Sequence, residues 1–305
     1  MRALVTGGAG FLGSHLVDRL LVEGHDVDVV DDLSSGSLSN LAAARAEAGG
    51  RLHVHTLDVR SPQLVDLLAR RRPDVAVHVV APSPGAGPRT VVELATVGTV
   101  NLLEAAHGCG TEKVVVALDA TALYGEVPSK ELPVREGQPF APMTIGGVAE
   151  RAVADLLAQY RSEHELEYTA LALSTVFGPR QLPTRGVVVG LLVAAAEGKP
   201  ATLPGDERQT RDLLYVDDAV DALVRATTRG SGLVVNVGTG VQTSFRDLHR
   251  MCCGDLAPPP VVGAAEAGLP PRFALSPVRA RIHLGWAPWT PLADGIEATR
   301  RALRP

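Results

Sequence analysis

A chain of 305 residues is long enough for one large α/β unit, or for a core domain with a smaller partner. Its formal net charge of -5 and its lack of a long basic run argue against a nucleic-acid-binding surface. It has no run of about 18 apolar residues that would span a membrane. Three cysteines, two of them adjacent, suggest neither a disulfide framework nor a zinc motif. With no leader pattern at the N-terminus, we expect a cytoplasmic protein without a metal ion.

Short apolar runs alternate with helical patterns through the first half of the chain. The predicted strands are RALVTG, DVDVVDD, LHVHTLDV, DVAVHVVA, KVVVALDA and YTALALST. The predicted helices are FLGSHLVDRLLVEG, SPQLVDLLARR, TVVELATVGTVNLLEAAHGCG and a segment from about Ile145 to His164. Strands that alternate with helices of about ten residues or more indicate βαβ units and a parallel sheet covered on both faces. The predicted fold class is therefore α/β, with a doubly wound parallel sheet.

The second half of the chain differs in composition and in the length of its predicted elements. After about residue 178, proline and glycine become frequent and the predicted elements are shorter, as in GVVVGLLVAAAEG, GLVVNVGTG and SFRDLHRMC. The tail PLADGIEATRRALRP is predicted to be helical. We expect a large domain over 1–177 and a smaller α/β domain over 178–305, with parts of the chain crossing back. The smaller domain should lie over the carboxyl ends of the strands, where open α/β sheets bind ligands.

A glycine-rich turn, VTGGAGFLGSHL, follows the first predicted strand and begins a helix. Gly7, Gly10 and Gly13 match G-x-x-G-x-x-G, a spacing that lets the backbone approach a pyrophosphate at a helix N-terminus. Asp31 ends the second predicted strand, 18 residues after Gly13. A carboxylate there can accept hydrogen bonds from the ribose hydroxyls and would repel a 2′-phosphate. The sequence therefore predicts a Rossmann-type domain that binds NAD rather than NADP.

These and later motifs resemble the extended short-chain dehydrogenase/reductase family, especially its NAD-dependent epimerases and dehydratases of the UDP-glucose 4-epimerase type. The similarity runs from Met1 to about Arg300 and includes TGGAGFLGSHL, DDLSSG, LDVR, GTVNLLEAA, VFGPRQ, RQTRDLLYVDDAVDAL and LGWAPWTPLADGI. The resemblance implies a set of residues around the cofactor: Gly7, Gly10, Phe11, Leu12, Gly13, Asp31, Asp32, Ser35, Gly36, Asp58, Val59, Val80 and Ala81.

The same resemblance implies a nucleotide-sugar substrate. Arg211 falls where the family places an arginine on the substrate diphosphate, and Thr175 and Phe177 fall beside the nucleotide. A planar guanidinium suits phosphate oxygens, although Arg211 could also be a surface residue paired with Asp212 or Asp217. The helices at 90 to 107 and 145 to 164 match those through which the family dimerises as a four-helix bundle, so a homodimer is expected.

The expected catalytic residues are missing from this sequence. In the family, a tyrosine accepts or donates the substrate proton, a lysine four residues later lowers the tyrosine pKa, and a serine or threonine binds the reacting oxygen. By motif spacing, these positions hold Ile145, Ala149 and Ala120. None of the four tyrosines has a lysine four residues further on. Because a free tyrosine has a pKa of about 10, it is a poor base at neutral pH without a cation.

The sequence leaves two main explanations for the missing catalytic residues. The chain could be an enzyme that performs epimerisation or dehydration with another proton-transfer group, for which Thr121, Tyr124, Thr144 and Glu126 are candidates. It could instead be a catalytically inactive protein that binds NAD or a sugar nucleotide and acts as a regulatory or partner subunit. A step that needs no protein base is a third possibility. A titratable group within hydrogen-bond reach of the substrate would favour the enzyme.

Overall fold

The computed structural model describes residues 1–83, 85–254, 257–264 and 268–303. The strands are β1 (Arg2–Thr6), β2 (Asp26–Asp31), β3 (Leu52–Thr56), β4 (Val75–His78), β5 (Lys113–Asp119), β6 (Glu167–Leu173), β7 (Thr175–Phe177), β8 (Thr202–Pro204), β9 (Thr210–Arg211), β10 (Leu213–Tyr215), β11 (Leu233–Val237), β12 (Thr243–Ser244) and β13 (Val261–Gly263). The α-helices are α1 (Phe11–Val22), α2 (Ala42–Glu47), α3 (Gln63–Arg71), α4 (Pro88–Cys109), α5 (Ala120–Tyr124), α6 (Ile145–His164), α7 (Val187–Ala196), α8 (Val216–Ala226), α9 (Phe245–Cys253), α10 (Val278–His283) and α11 (Leu292–Ala302).

Seven strands form the main sheet in the order β11-β6-β5-β4-β1-β2-β3, and every neighbouring pair is parallel. The order reverses direction at β1 and β4, which confirms the predicted doubly wound α/β fold. The carboxyl ends of the central strands therefore form a crevice where ligands of such sheets bind. The remaining strands pair in three small two-stranded sheets beyond that crevice.

Alternate side chains of each strand enter two separate hydrophobic cores. In β1, Ala3 and Val5 are fully buried in one core, whereas Leu4 is fully buried in the other. This alternation follows from the two-residue period of a strand. Helices α1 and α8 pack together on one face, and α3, α4 and α6 pack together on the other. Both faces of the sheet are therefore covered, as continuous apolar strands require.

Some parts of the structure depart from the sequence pattern. Strand β11 lies in the second half of the chain, from which parts were expected to cross back, and it hydrogen-bonds to β6 and completes the main sheet. The fifth predicted strand ends at Asp119, whose side chain accepts the N–H groups of Thr121 and Ala122 and starts the short helix α5. The predicted C-terminal helix is α11, and its last two predicted residues, Arg304 and Pro305, lie outside the described residues.

Within the described ranges, no helix is both long and apolar enough to cross a membrane. The three cysteines are free.

Candidate functional site

The glycine-rich turn is held so tightly that two of its glycines have no room for a side chain. Gly7 has φ +74°, and a Cβ there would lie 2.8 Å from the Val79 carbonyl oxygen. A Cβ on Gly13 would lie 2.1 Å from the Gly7 carbonyl oxygen, so α1 begins almost in contact with the turn. The Ser14 N–H donates to the Gly10 carbonyl at 3.1 Å and continues the helix from there. The turn thus exposes backbone at the N-terminus of α1, the arrangement that accommodates a pyrophosphate.

The carboxylate of Asp31 closes the other side of this turn. It accepts the Ala9 N–H at 2.9 Å and the Leu33 N–H at 2.8 Å. Burial raises the pKa of Asp31, and these two backbone hydrogen bonds oppose the rise. Gly36 packs on the same group, since a Cβ there would lie 2.9 Å from Asp31 Oδ1. A carboxylate has about four acceptor positions, so Asp31 retains capacity for the hydroxyls of a ribose.

A cleft of about 670 Å³ runs along the carboxyl ends of the strands, past this turn. Twelve of the thirteen residues predicted around the cofactor line it: Gly7, Gly10, Phe11, Leu12, Gly13, Asp31, Asp32, Ser35, Asp58, Val59, Val80 and Ala81. The thirteenth, Gly36, lies behind Asp31 instead. The hydrogen bond from Arg60 to Asp58 lowers the pKa of that carboxyl.

Arginines approach the cleft from the second half of the chain. Arg180, Arg185 and Arg211 all line it, in a protein whose net charge is negative. The Arg211 guanidinium donates to the carbonyl oxygens of Thr210 and Pro270 at 2.9 and 3.0 Å and lies 5.3 Å from the centre of the Phe245 ring. These contacts fix the direction of a permanently charged group. The cleft therefore has a local positive wall suited to an anionic ligand.

The residues predicted for the substrate are divided between the cleft and the core. Thr175 and Arg211 line the cleft. Phe177 does not line it, because its ring is buried and packs edge-on against Tyr215, with 5.7 Å between the ring centres. Asp212 is not the partner of Arg211 that the sequence suggested, since its buried carboxylate accepts the N–H groups of Thr239, Gly240 and Leu275.

Only one of the four predicted proton-transfer candidates reaches the cleft. Thr121 lines it at the start of α5. The Thr144 hydroxyl accepts the Gly147 N–H at 3.0 Å and serves as the N-cap of α6. Glu126 is exposed outside the cleft. Tyr124 is 1% exposed, and its hydroxyl donates to Asn236 Oδ1 at 2.9 Å within the core. The geometry therefore places Thr121 at the cleft, gives Thr144 and Tyr124 structural contacts, and leaves Glu126 on the surface.

Replacing Tyr124 by phenylalanine tests the structural assignment of this residue. The variant leaves the buried Asn236 oxygen without its donor, so we expect about 1–3 kcal/mol lower unfolding free energy. Binding of NADH should stay within about twofold of wild type because the ring lies outside the cleft. Urea denaturation and NADH fluorescence titration measure the two quantities. Wild-type stability together with weakened cofactor binding would return Tyr124 to the site.

Helix α6 presents a different residue to the cleft from the one that motif spacing indicates. Ile145 is 53% exposed and, with Ala149, lines a separate apolar recess beside Val92 and Val148. The α6 side chain that lines the cleft is Glu150. No tyrosine or lysine lines the cleft in the part of the chain that the structure describes. The sequence interpretation did not consider Glu150, because motif counting drew attention to Ile145 and Ala149, which do not line the cleft.

Comparison with known proteins identifies the family. Residues 3–238 match the model of the NAD dependent epimerase/dehydratase family, and the chain belongs to this family. It is 39% identical over 317 residues to a UDP-glucose 4-epimerase from Mycolicibacterium smegmatis, covering 100% of this chain and 99% of that protein. The family assignment confirms the predicted resemblance. The family is NAD-dependent, which confirms the predicted cofactor.

Solved structures show the same fold over almost the whole chain. A Thermotoga maritima UDP-glucose 4-epimerase with UDP-glucose has a TM-score of 0.92 and 30% identity, covering 99% of this chain and 98% of that one. A Thermus thermophilus UDP-glucose 4-epimerase in complex with NAD has a TM-score of 0.88 and 32% identity, with the same coverage. The glycine turn and the strand-end carboxylate of this chain fit the same cofactor, since glycines without room for a Cβ leave the backbone of the turn exposed at the N-terminus of α1 and Asp31 retains acceptor capacity.

Proposed function

We propose that this protein is an NAD-dependent enzyme that acts on a nucleoside-diphosphate sugar, by epimerisation or dehydration, with an active site other than the usual tyrosine and lysine pair. The observation that carries the proposal is the joining of two features in one cleft. The same cleft is lined by the cofactor residues and by Thr121, Thr175, Glu150 and Arg211. The cleft thus holds titratable and anion-binding groups beside a dinucleotide site, as an enzyme of this family needs.

The arginines support a substrate with a diphosphate. Arg211 is buried except for 7% of its surface and is oriented by backbone carbonyls, so little side-chain entropy remains to be lost on binding. Arg185 also lines this cleft and donates to the Pro82 carbonyl. In our proposal, Arg211 binds the diphosphate and Thr175 lies beside the nucleotide.

The experiment uses the NAD-loaded protein with UDP-glucose and UDP-glucuronic acid as probes. Near-ultraviolet absorbance follows NADH formation, and chromatography with mass spectrometry identifies the sugar products in the same samples. An epimerised or dehydrated product supports the proposal. Unchanged sugars throughout, with NAD still bound, contradict it for these probes.

A second function is favoured by one specific observation, the absence of tyrosine and lysine from the cleft in the described residues. A protein that binds NAD or a sugar nucleotide without converting it needs neither group. In that case the chain would act as a regulatory or partner subunit. Saturable binding of UDP-glucose to the NAD-loaded protein, with no product, distinguishes this function from the enzyme.

The Asp31→Asn variant tests the choice between the two nicotinamide cofactors. The substitution replaces a charged ribose acceptor by a neutral, weaker one and removes the repulsion of a 2′-phosphate. We expect the ratio of NADPH to NADH dissociation constants to fall by about tenfold, equivalent to about 1.4 kcal/mol. Fluorescence titration of both cofactors on the same preparation gives this ratio, which is insensitive to a uniform loss of active protein. A wild-type ratio in Asp31→Asn would remove Asp31 from the ribose site.

The proposed assembly is a homodimer through the faces of α4 and α6. These two helices pack against each other and carry exposed apolar side chains, among them Val92, Val97, Ile145 and Val148. A contiguous apolar surface of this kind favours burial against a second copy. Sedimentation velocity of the full chain tests the stoichiometry. A cytoplasmic location likewise stays a prediction.

A further inference from the structure

The backbone packing of two helices positions Glu150 at the end of strand β5. A Cβ on Gly147 would lie 2.2 Å from the Ala122 carbonyl oxygen, so α6 approaches α5 with no side chain between their backbones. This contact brings Glu150, three residues further along α6, into the cleft beside Asp119 and Thr121. The same helix face holds Gly146 one turn earlier, because residues four apart lie above one another. Gly146 and Glu150 therefore have the four-residue separation of the family's dyad.

Glu150 has an environment that a purely structural carboxyl rarely has. Its Oε2 atom is buried and has no hydrogen-bond partner among the described residues. Leaving a buried polar atom without a partner costs free energy, and no structural contact of that oxygen offsets the cost. Strongly perturbed carboxyls that face a cleft occur preferentially at functional sites.

The two carboxyls of the cleft have different partners. Asp119 lies at the surface of the cleft, where one side of its carboxyl meets water. The protein packed around the other side desolvates this carboxyl and raises its pKa. The N–H groups of Thr121 and Ala122 and the charge of Arg211 oppose this rise and favour its ionised form. Burial and then the Asp119 charge raise the pKa of Glu150 to about 8, against one backbone hydrogen bond from Asp119. Glu150 is therefore mostly protonated at neutral pH, with an ionised minority that can accept a proton.

The cleft contains few other charges that face Glu150. Asp119 at the end of β5 acts on it directly, and Arg211 on β9 acts on Asp119. From α4, the cleft is lined by the apolar Leu94. A group with a pKa near the working pH exchanges protons in both directions, which is the requirement for a general acid–base catalyst.

We propose that Glu150 is the group that exchanges the substrate proton, in place of the family's tyrosine and lysine. This inference rests on the proposed function. Bound NAD supplies a hydride acceptor and donor. As an alcohol carbon of the sugar loses hydride, its O–H electron pair forms the C=O bond, and the Glu150 carboxylate takes the released proton. The protonated Glu150 returns that proton to the oxygen when hydride comes back to the carbon.

The direct test is a titration of Glu150 in the full-length protein. Carbon NMR with glutamate labelled at the side-chain carboxyl should show one signal with a midpoint near pH 8, and this signal should disappear in Glu150→Gln. In Asp119→Asn the midpoint should fall, because a neighbouring negative charge is removed. A Glu150 midpoint in the ordinary range near pH 4.5 would overturn the proposal.

Turnover of UDP-glucose or UDP-glucuronic acid provides the second readout. Glu150→Gln should lower kcat by about a hundredfold or more while NADH binding stays within about twofold. Glu163→Gln is the matched control, an exposed glutamate on the same helix outside the cleft, and should behave as wild type. Wild-type kcat in Glu150→Gln would also overturn the proposal. A wild-type protein that converts neither sugar would contradict the proposed function instead, and the titration would still decide the state of Glu150.

Discussion

The Gly13→Ala variant is expected to lose NADH affinity by about a hundredfold or more. The added Cβ would lie 2.1 Å from the Gly7 carbonyl oxygen and 2.8 Å from the Gly8 Cα, and neither backbone atom can move alone. The turn or the start of α1 must shift, which displaces the backbone that faces the pyrophosphate. Overpacking of this severity should also lower the unfolding free energy by about 3 kcal/mol. NADH fluorescence titration and urea denaturation measure the two effects.

The control for this substitution is Gly108→Ala. Gly108 lies near the end of α4, and a Cβ there would meet no atom within 4 Å. Alanine is the better helix former by about 0.5–1 kcal/mol, so the control should be slightly stabilised and should bind NADH normally. If Gly13→Ala bound NADH as well as the control, the glycine turn would not be the pyrophosphate site.

The fold could be predicted from the sequence because its signals are local. Strands buried on both faces, such as KVVVALDA, read as continuous apolar runs, and the Ile145–His164 helix follows a polar cap and an apolar period. The glycine turn is also a local signal, because its backbone has no room for a Cβ at Gly7 and Gly13. The return of β11 to the main sheet could be expected only in outline, because its partner β6 lies about 60 residues earlier in the chain and no local pattern encodes that pairing.

The cofactor half of the site was predictable for the same reason, whereas the reacting half was not. Which face of α6 meets the cleft depends on the close contact between Gly147 and the Ala122 carbonyl. Counting motif positions placed the dyad at Ile145 and Ala149, neither of which lines the cleft, whereas Glu150, one residue after Ala149, does. A one-residue error rotates a helix position by about 100° and is enough to move a side chain out of a site.

The stability of the Glu150→Gln variant should depend on pH differently from that of the wild-type protein. In the unfolded chain Glu150 ionises near pH 4.5, and in the folded protein it ionises near pH 8. Below pH 4.5 both the folded and the unfolded state hold the proton, so Glu150 should cause no difference in the pH dependence of stability between the two proteins. Between these values the unfolded state releases its proton while the folded state keeps it, and the wild-type protein loses stability as the pH rises. Above about pH 8 the loss is complete.

The size of the effect follows from that interval. At about 1.4 kcal/mol for each pH unit, the interval gives an upper bound of about 5 kcal/mol. Glu150 is partly exposed to the water of the cleft, and solvent screening should reduce the loss to about 2–3 kcal/mol. We therefore expect urea denaturation to show that, from pH 4.5 to 9, the unfolding free energy of Glu150→Gln rises relative to wild type by this amount. That of Glu163→Gln should not. A constant difference across this range would mean that Glu150 titrates normally. If Glu150→Gln gains unfolding free energy and also loses turnover, the wild-type protein keeps the Glu150 carboxyl although this group lowers its stability. Such a cost is expected of a group that acts on the substrate.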